Sequence, residues 1–185
     1  MFRNTGKKED YLEKFRYENE LFRIEWDKQP IMIPEYDESG NPTGEYHEDP
    51  VFVSWMQETY TYKPSLEEIK DMILSFYNKE TDNKILTGFI WTPASGEPIN
   101  VYLSTENQFD YKAAYDLAYQ TNGASLPFTL KFGEIDNPKY YSFTTLEDFS
   151  NFIYSCFGFI NRTLQEGWVK KDSIDWTKYD FSEPE

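Results

Sequence analysis

The chain has one cysteine and one histidine in 185 residues. Cys156 alone excludes an intrachain disulfide and any Cys-rich zinc site. His47 lies in an acid-rich stretch, from which a Ser-His-Asp or Cys-His arrangement would have to recruit it out of a loop. Phosphate-cradling glycine loops are missing too, since neither Gly-x-x-x-x-Gly-Lys nor Gly-x-Gly-x-x-Gly occurs. No apolar run resembles a signal peptide or approaches the ~20 residues needed to cross a bilayer, which predicts folding in a reducing cytoplasm and no membrane partner. Positive charge is scarce: 33 acids face 18 bases, a net charge of −15. Such a field repels phosphate backbones, so direct nucleic-acid binding is disfavoured. The same field suits a mimic of nucleic acid aimed at a basic host protein.

Rings are abundant instead. Phe, Tyr and Trp make up 19% of residues while the whole hydrophobic class reaches only 39%. The core must lean on rings, and the surplus Tyr and Trp point to contacts with partners.

The pattern predicts an α+β fold: antiparallel β-hairpins packed by three α-helices, behind an N-terminal arm and a β-rich N-terminal segment. Residues 1–24 are charge-dense, with Tyr11, Leu12, Phe15 and Phe22 near one helical face and Asn19 breaking the stripe, which suggests a marginal helix or an arm, taken as residues 1–20, that orders on a partner. Residues 21–63 read as β-structure around turn residues 37–44. Glu35, Asp37, Glu38, Glu45, Glu48 and Asp49 crowd that hairpin without a Lys or Arg, so it should project into water. Asp37, Ser39 and Asn41 alternate as oxygen donors, but Pro42 stands where a calcium loop of the helix–loop–helix kind needs glycine, so a plain turn is expected and no metal is assigned.

An α+β core domain is expected over 64–176 and an acidic tail over 177–185. Ser65 with Glu68 is a capping box opening a helix that buries Leu66, Ile69, Ile73 and Tyr77 and ends in the polar run 78–83. Residues 85–91 and 99–103 flank a Pro/Gly cluster as a hairpin. Thr105 with Gln108 is a second capping box, Asn122-Gly123 closes that helix, and 126–133 returns as a strand paired with 139–143. Thr145 opens the longest helix, with Leu146, Phe149, Ile153, Cys156 or Phe157, Ile160 and Leu164 buried and a C-cap at Glu166-Gly167. Gly158 inside that helix suggests close packing.

No constellation for chemistry emerges. Cys156 on an apolar helix face reads as an inert buried thiol, Gln108 as part of a cap and Lys131 as an outward strand residue. No cofactor is called for, and no enzyme is expected, although paired carboxylates acting on a polysaccharide would leave no mark in sequence spacing. Residues set aside for interfaces are Phe15 and Phe22 of the arm, the i, i+4, i+8 ridge Tyr111, Tyr115 and Tyr119, and Trp168, Trp176, Tyr179 and Phe181 toward the tail. For the ridge, core burial with hydroxyls reaching water is the first reading and an interface the alternative.

The segments 88–91, 101–112, 126–133 and 166–172 together resemble an uncharacterised domain family of bacteriophages and prophages, found among tail and virion-structural genes. The resemblance spans about residues 64–176 and leaves 1–63 outside. It implies a virion structural or accessory protein, tail-associated, made in the host cytoplasm and then carried in the virion. It further implies docking on other virion proteins in several symmetric copies, and it brings no catalytic residue.

Overall fold

The computed structural model describes residues 1–94, 96–134 and 136–180, Glu134 by its backbone alone. The fold is α+β, with eight strands in three antiparallel sheets and three α-helices among the described residues. The chain divides into two compact units, Met1–Leu74 with Ile174–Glu185, and Ser75–Ser173.

The first unit is built on a four-stranded antiparallel sheet in the order β1-β4-β3-β2. β1 (Phe2–Lys7) pairs with the far end of β4 (Pro42–Tyr60), and β2 (Phe15–Glu18) pairs with the start of β3 (Leu21–Tyr36). Residues 1–20 are therefore two strands joined by a 3-10 turn at Lys8–Asp10 and an irregular stretch, not an α-helix or a free arm. The period of two in Phe15-Arg16-Tyr17-Glu18 sets the structure, and Asn19 and Glu20 adopt φ of 51° and 63° as a two-residue hairpin turn. The asparagine that breaks a helical stripe is thus the turn residue of a hairpin.

Ile24, Trp26, Val53, Trp55, Ile69, Ile73 and Tyr179 form the interior of this unit. A Cβ on Gly6 would stand 2.8 Å from Trp55 Cη2, so only glycine lets β1 lie over that indole. Glu25 is 1% exposed, which is tolerable because Arg16 Nη2 donates to one carboxylate oxygen at 2.9 Å and the Leu12 amide to the other at 3.2 Å. The Tyr179 hydroxyl donates to the Glu25 carbonyl at 3.2 Å, fastening the C-terminal 3-10 turn Trp176–Tyr179 to the same strand.

Helix α1 (Leu66–Thr87) opens as the capping box requires: the Ser65 hydroxyl accepts from the Glu68 amide at 3.2 Å, and the Glu68 carboxylate accepts from the Ser65 amide at 2.7 Å. It does not stop in the polar run 78–83. It continues through Ile85, Leu86 and Thr87 and ends at Gly88 with φ of 75°. The polar run is simply a solvated stretch of helix, and Ile85 is a buried helical residue, not a strand residue.

The second unit holds β5 (Phe89–Trp91), β6 (Ile99–Val101), α2 (Thr105–Gln120), β7 (Phe128–Glu134), β8 (Asn137–Phe143) and α3 (Leu146–Asp172). β5–β6 and β7–β8 are separate two-stranded sheets. The cap of α2 is Ser104, whose hydroxyl accepts from the Asn107 amide, so Thr105 is the first helical residue; the expected Thr105–Gln108 box does not form, and Gln108 instead donates to the Leu103 carbonyl. Thr145 caps α3 as its position predicts. Gly167 does not end α3, which runs on to Asp172; Gly167 is buried against Thr81. Gly158 is not packed either, since beyond its own stretch of helix backbone no atom lies within 4 Å of a Cβ placed there.

Rings dominate the core of this unit. Trp91, Phe132, Phe143, Phe149 and Phe152 interlock, with Phe143 and Phe149 stacked at 4.3 Å and Trp91 edge-on to Phe152 at 4.9 Å. Burying five such side chains supplies the apolar area that a ring-rich, aliphatic-poor sequence must find.

Candidate functional site

The most exposed ordered element is the distal part of the β3–β4 hairpin. β2 leaves β3 after Ile24 and β1 leaves β4 at Phe52, yet β3 and β4 stay paired out to Tyr36 and Pro42. Residues 31–36 alone extend it by about 20 Å at a strand's rise per residue. A two-stranded ribbon of this kind is marginal in water by itself.

Its edges are blunted. Pro30 and Pro34 interrupt β3, Pro42 and Pro50 interrupt β4, and the register shifts between Trp26 and Gln29, Pro30 and Met32, and Pro34 and Tyr36. Prolines and bulges discourage further strands from adding to an open edge. Its faces are not blunted. Met32 stands opposite Glu48 and Pro34 opposite Tyr46, which puts Met32, Pro34 and Tyr46 on one face. Met32 is 49% exposed, and Tyr36 and Tyr46 are 61% exposed.

The ribbon is acidic by construction. Between residues 31 and 50 there are six carboxylates and no Lys or Arg. Asp37 accepts the amides of Ser39 and Asn41, each at 2.9 Å, and the Asn41 amide holds its carboxyl below the usual 3.8. Asp49 accepts the amides of Phe52 at 2.9 Å and Val51 at 2.8 Å, and these lower it likewise. Glu35 stands 3.4 Å from His47 Nδ1 on the opposite strand. Asp37 is occupied as a turn former, and among the described residues no group of three or more His, Cys, Asp or Glu is placed to hold a metal.

An open cleft of about 590 Å³ lies in the first unit, lined by Asn4, Asp10, Arg16, Glu18, Glu25 and Trp55 among others. It brings Glu18 and Glu25 to the two sides of Arg16, whose Nη2 bonds Glu25 and whose Nε stands 3.3 Å from Glu18 Oε2. Both carboxylates have a cationic partner in Arg16; Glu25 is buried and Glu18 is exposed. Burial pushes the Cys156 thiol up to about 12, the environment of an inert side chain. Asn107 and Gln108 donate to the Tyr102 and Leu103 carbonyls and Lys131 is exposed, all three in structural roles.

The residues singled out for interfaces scatter. Tyr111 is 5% exposed and packs on Phe132 and Phe152; Phe15 and Tyr179 are buried. These three are core residues and leave the set of surface candidates. Tyr115 is half-buried with its hydroxyl 3.0 Å from Ser150 Oγ, and Phe22 and Trp176 are half-buried. Tyr119 and Trp168 remain exposed at 67% and 51%, and Phe181 lies outside the described residues. The tyrosine ridge reduces to one residue because α2 rotates Tyr111 into the core, where its hydroxyl reaches the Tyr102 carbonyl at 3.4 Å.

Sequence reasoning missed Met32, Tyr36 and Tyr46 on the ribbon, and Phe109, Tyr154, Phe157 and Val169 on the helices, all exposed. Tyr154 and Val169 lie off the buried stripe of α3, which is the signal that marks them.

These elements define an α+β protein with an acidic, ring-bearing ribbon. No family model matches the chain, and no curated protein or solved structure matches it either. No described helix is long and apolar enough to cross a membrane.

Proposed function

We propose that the chain is a structural or accessory protein of a bacteriophage particle, tail-associated, that docks on other virion proteins in several copies and performs no catalysis. The observation that carries this reading is the β3–β4 ribbon. It extends beyond β1 and β2 and exposes Met32, Tyr36 and Tyr46. An element of that kind gains its order and its use by lying on another subunit. The resemblance of residues 64–176 to a phage domain family supplies the setting. The charge of −15 argues against direct contact with nucleic acid.

Mass spectrometry of the purified particle tests the reading. The chain is expected alongside its virion neighbours, and a version with residues 31–52 replaced by Asn-Gly is expected to fold yet be missing from particles. Absence of the wild-type chain from particles that contain those neighbours overturns it.

A second reading has one observation in its favour. Six carboxylates on a slender ribbon, two of them held ionised by backbone amides, resemble a row of phosphates. A phage-encoded inhibitor of a host nucleic-acid-binding protein would then be captured by that host protein in a salt-sensitive way.

A further inference from the structure

The turn that closes α2 holds the one Asn-Gly dipeptide of the sequence, Asn122-Gly123; every other asparagine is followed by a bulkier residue or by proline. Asparagine before glycine is the pair in which a main chain cyclises most readily, because glycine has no side chain to obstruct attack by its own nitrogen. That nitrogen, once deprotonated, adds to the asparagine side-chain carbonyl. The new C–N bond closes a five-membered imide, and the side-chain nitrogen takes up the proton and leaves as ammonia. Water then opens the ring at one of its two carbonyls, giving aspartate or isoaspartate. Ammonia is lost and water gained, so no oxidant, cofactor or second protein is needed.

The fold ties that nitrogen down. Asn122 and Gly123 are left-handed, with φ of 52° and 86°. The Gly123 amide donates to the Ala118 carbonyl at 2.8 Å and the Asn122 amide to the Tyr119 carbonyl at 3.0 Å, which closes the helix. Thr121 staples the turn: its hydroxyl donates to the Leu117 carbonyl at 2.8 Å and accepts the Ser125 amide at 3.3 Å. A Cβ built on Gly123 would stand 3.6 Å from Leu146 Cγ, so the turn lies against the start of α3. The hydrogen that must be removed is thus bound to a carbonyl, while Asn122 itself is exposed and within reach of water and base.

We propose that Asn122 is a site of spontaneous backbone modification gated by the C-terminal cap of α2. The reaction runs from the opened cap, and its product holds the cap open. Helix ends are among the parts of a fold that open most often. Isoaspartate lengthens the main chain by one carbon and displaces the Gly123 amide from the Ala118 carbonyl. It also sets a carboxylate at the end of a helix where the macrodipole disfavours negative charge. The conversion is one-way, so the converted fraction records how often the end of α2 has opened. The inference stands on the α2 cap alone and is independent of the docking reading.

Incubation of the full chain at mildly alkaline pH, followed by peptide mass mapping, tests this. Asn122 is expected to convert before any other asparagine, with isoaspartate as the main product. Conversion in the native chain is expected to be at least about tenfold slower than in the urea-unfolded chain, because only the opened cap reacts. Thr121→Val removes the staple and is expected to speed native conversion about threefold, the weight of one hydrogen bond, while leaving the unfolded rate unchanged. Converted protein, separated by its extra charge, should exchange the amides of residues 118–126 faster than unconverted protein, with those of β5 and β6 unaffected. Equal rates in the native and unfolded chain overturn the proposal. So does a native chain that never converts at Asn122, or one in which another asparagine converts first. Thr121→Val without acceleration, or a converted protein whose cap amides stay as protected as before, overturns it too.

Discussion

Gly167 of α3 lies against Thr81 of α1: a Cβ built on Gly167 would overlap the Thr81 hydroxyl oxygen and stand 3.3 Å from its Cγ2. Two glycines of one helix should therefore respond to alanine in opposite directions. Gly158→Ala is expected to stabilise dilute protein by about 1 kcal/mol, the helix-propensity difference. Gly167→Ala is expected to destabilise by about 1–2 kcal/mol, because overpacking outweighs the same propensity gain. Urea unfolding of the single variants and of Thr81→Ala/Gly167→Ala checks this. In the Thr81→Ala background the second substitution should turn neutral or favourable.

Glu25 is the most demanding group in the first unit. Arg16→Met leaves its carboxylate 1% exposed and without a cation, and is expected to cost about 3 kcal/mol. Arg16→Met/Glu25→Leu should recover part of that loss, because no charge then remains buried. If denaturant midpoints show the single variant as stable as wild type, the ion pair is not what makes this burial tolerable.

Much of the helix and hairpin content was legible because its signals are local. The Ser65–Glu68 box, the Thr145 cap, the β7–β8 pairing and the apolar stripe of α3 each depend on residues a few positions apart, and each is where its pattern puts it. The errors arise where tertiary contact decides. Gly167 has the identity of a C-cap, but its lack of a side chain serves the contact with Thr81. Ile85-Leu86-Thr87 has strand-like composition, yet α1 absorbs it and Gly88 supplies the stop. Phe15 looked available for partners, and the tyrosines of α2 were open to both core and interface, because spacing cannot tell which way an element turns. The ribbon's acids were visible, whereas its reach beyond the neighbouring strands depends on where β1 and β2 end.

Cys156 and Tyr111 set the alkaline limit of the second unit. Burial pushes the thiol from its ordinary 9.0 up to about 12; it also pushes the phenol from 10.0 up to about 12, reinforced by the negative forms of Cys156 and Asp110. Both folded values are raised, so the fold favours the protonated forms. Their contribution is complete below pH 9 and is lost as pH rises from 9 toward 12. Stability is expected to fall across that window. Tyr111→Phe and Cys156→Ala should each flatten the slope whatever they do to stability at neutral pH, as urea midpoints taken at several alkaline pH values will show.

The ribbon offers the sharpest division between folding and docking. Replacing residues 31–52 by Asn-Gly joins Pro30 to Val53, which already stand opposite each other, through the dipeptide that best closes a hairpin. The excised segment removes the exposed Met32, Tyr36 and Tyr46 and six carboxylates while leaving Ile24, Trp26 and Trp55 in place. Unfolding free energy is therefore expected to change by no more than about 0.5 kcal/mol, the scale of surface changes. Amides of residues 31–36 in the intact chain should exchange with solvent far faster than those of residues 22–26. A loss of several kcal/mol on excision would mean that the ribbon packs on its own chain. Its exposed rings would then be explained by folding, and the docking role would lose the observation that carries it.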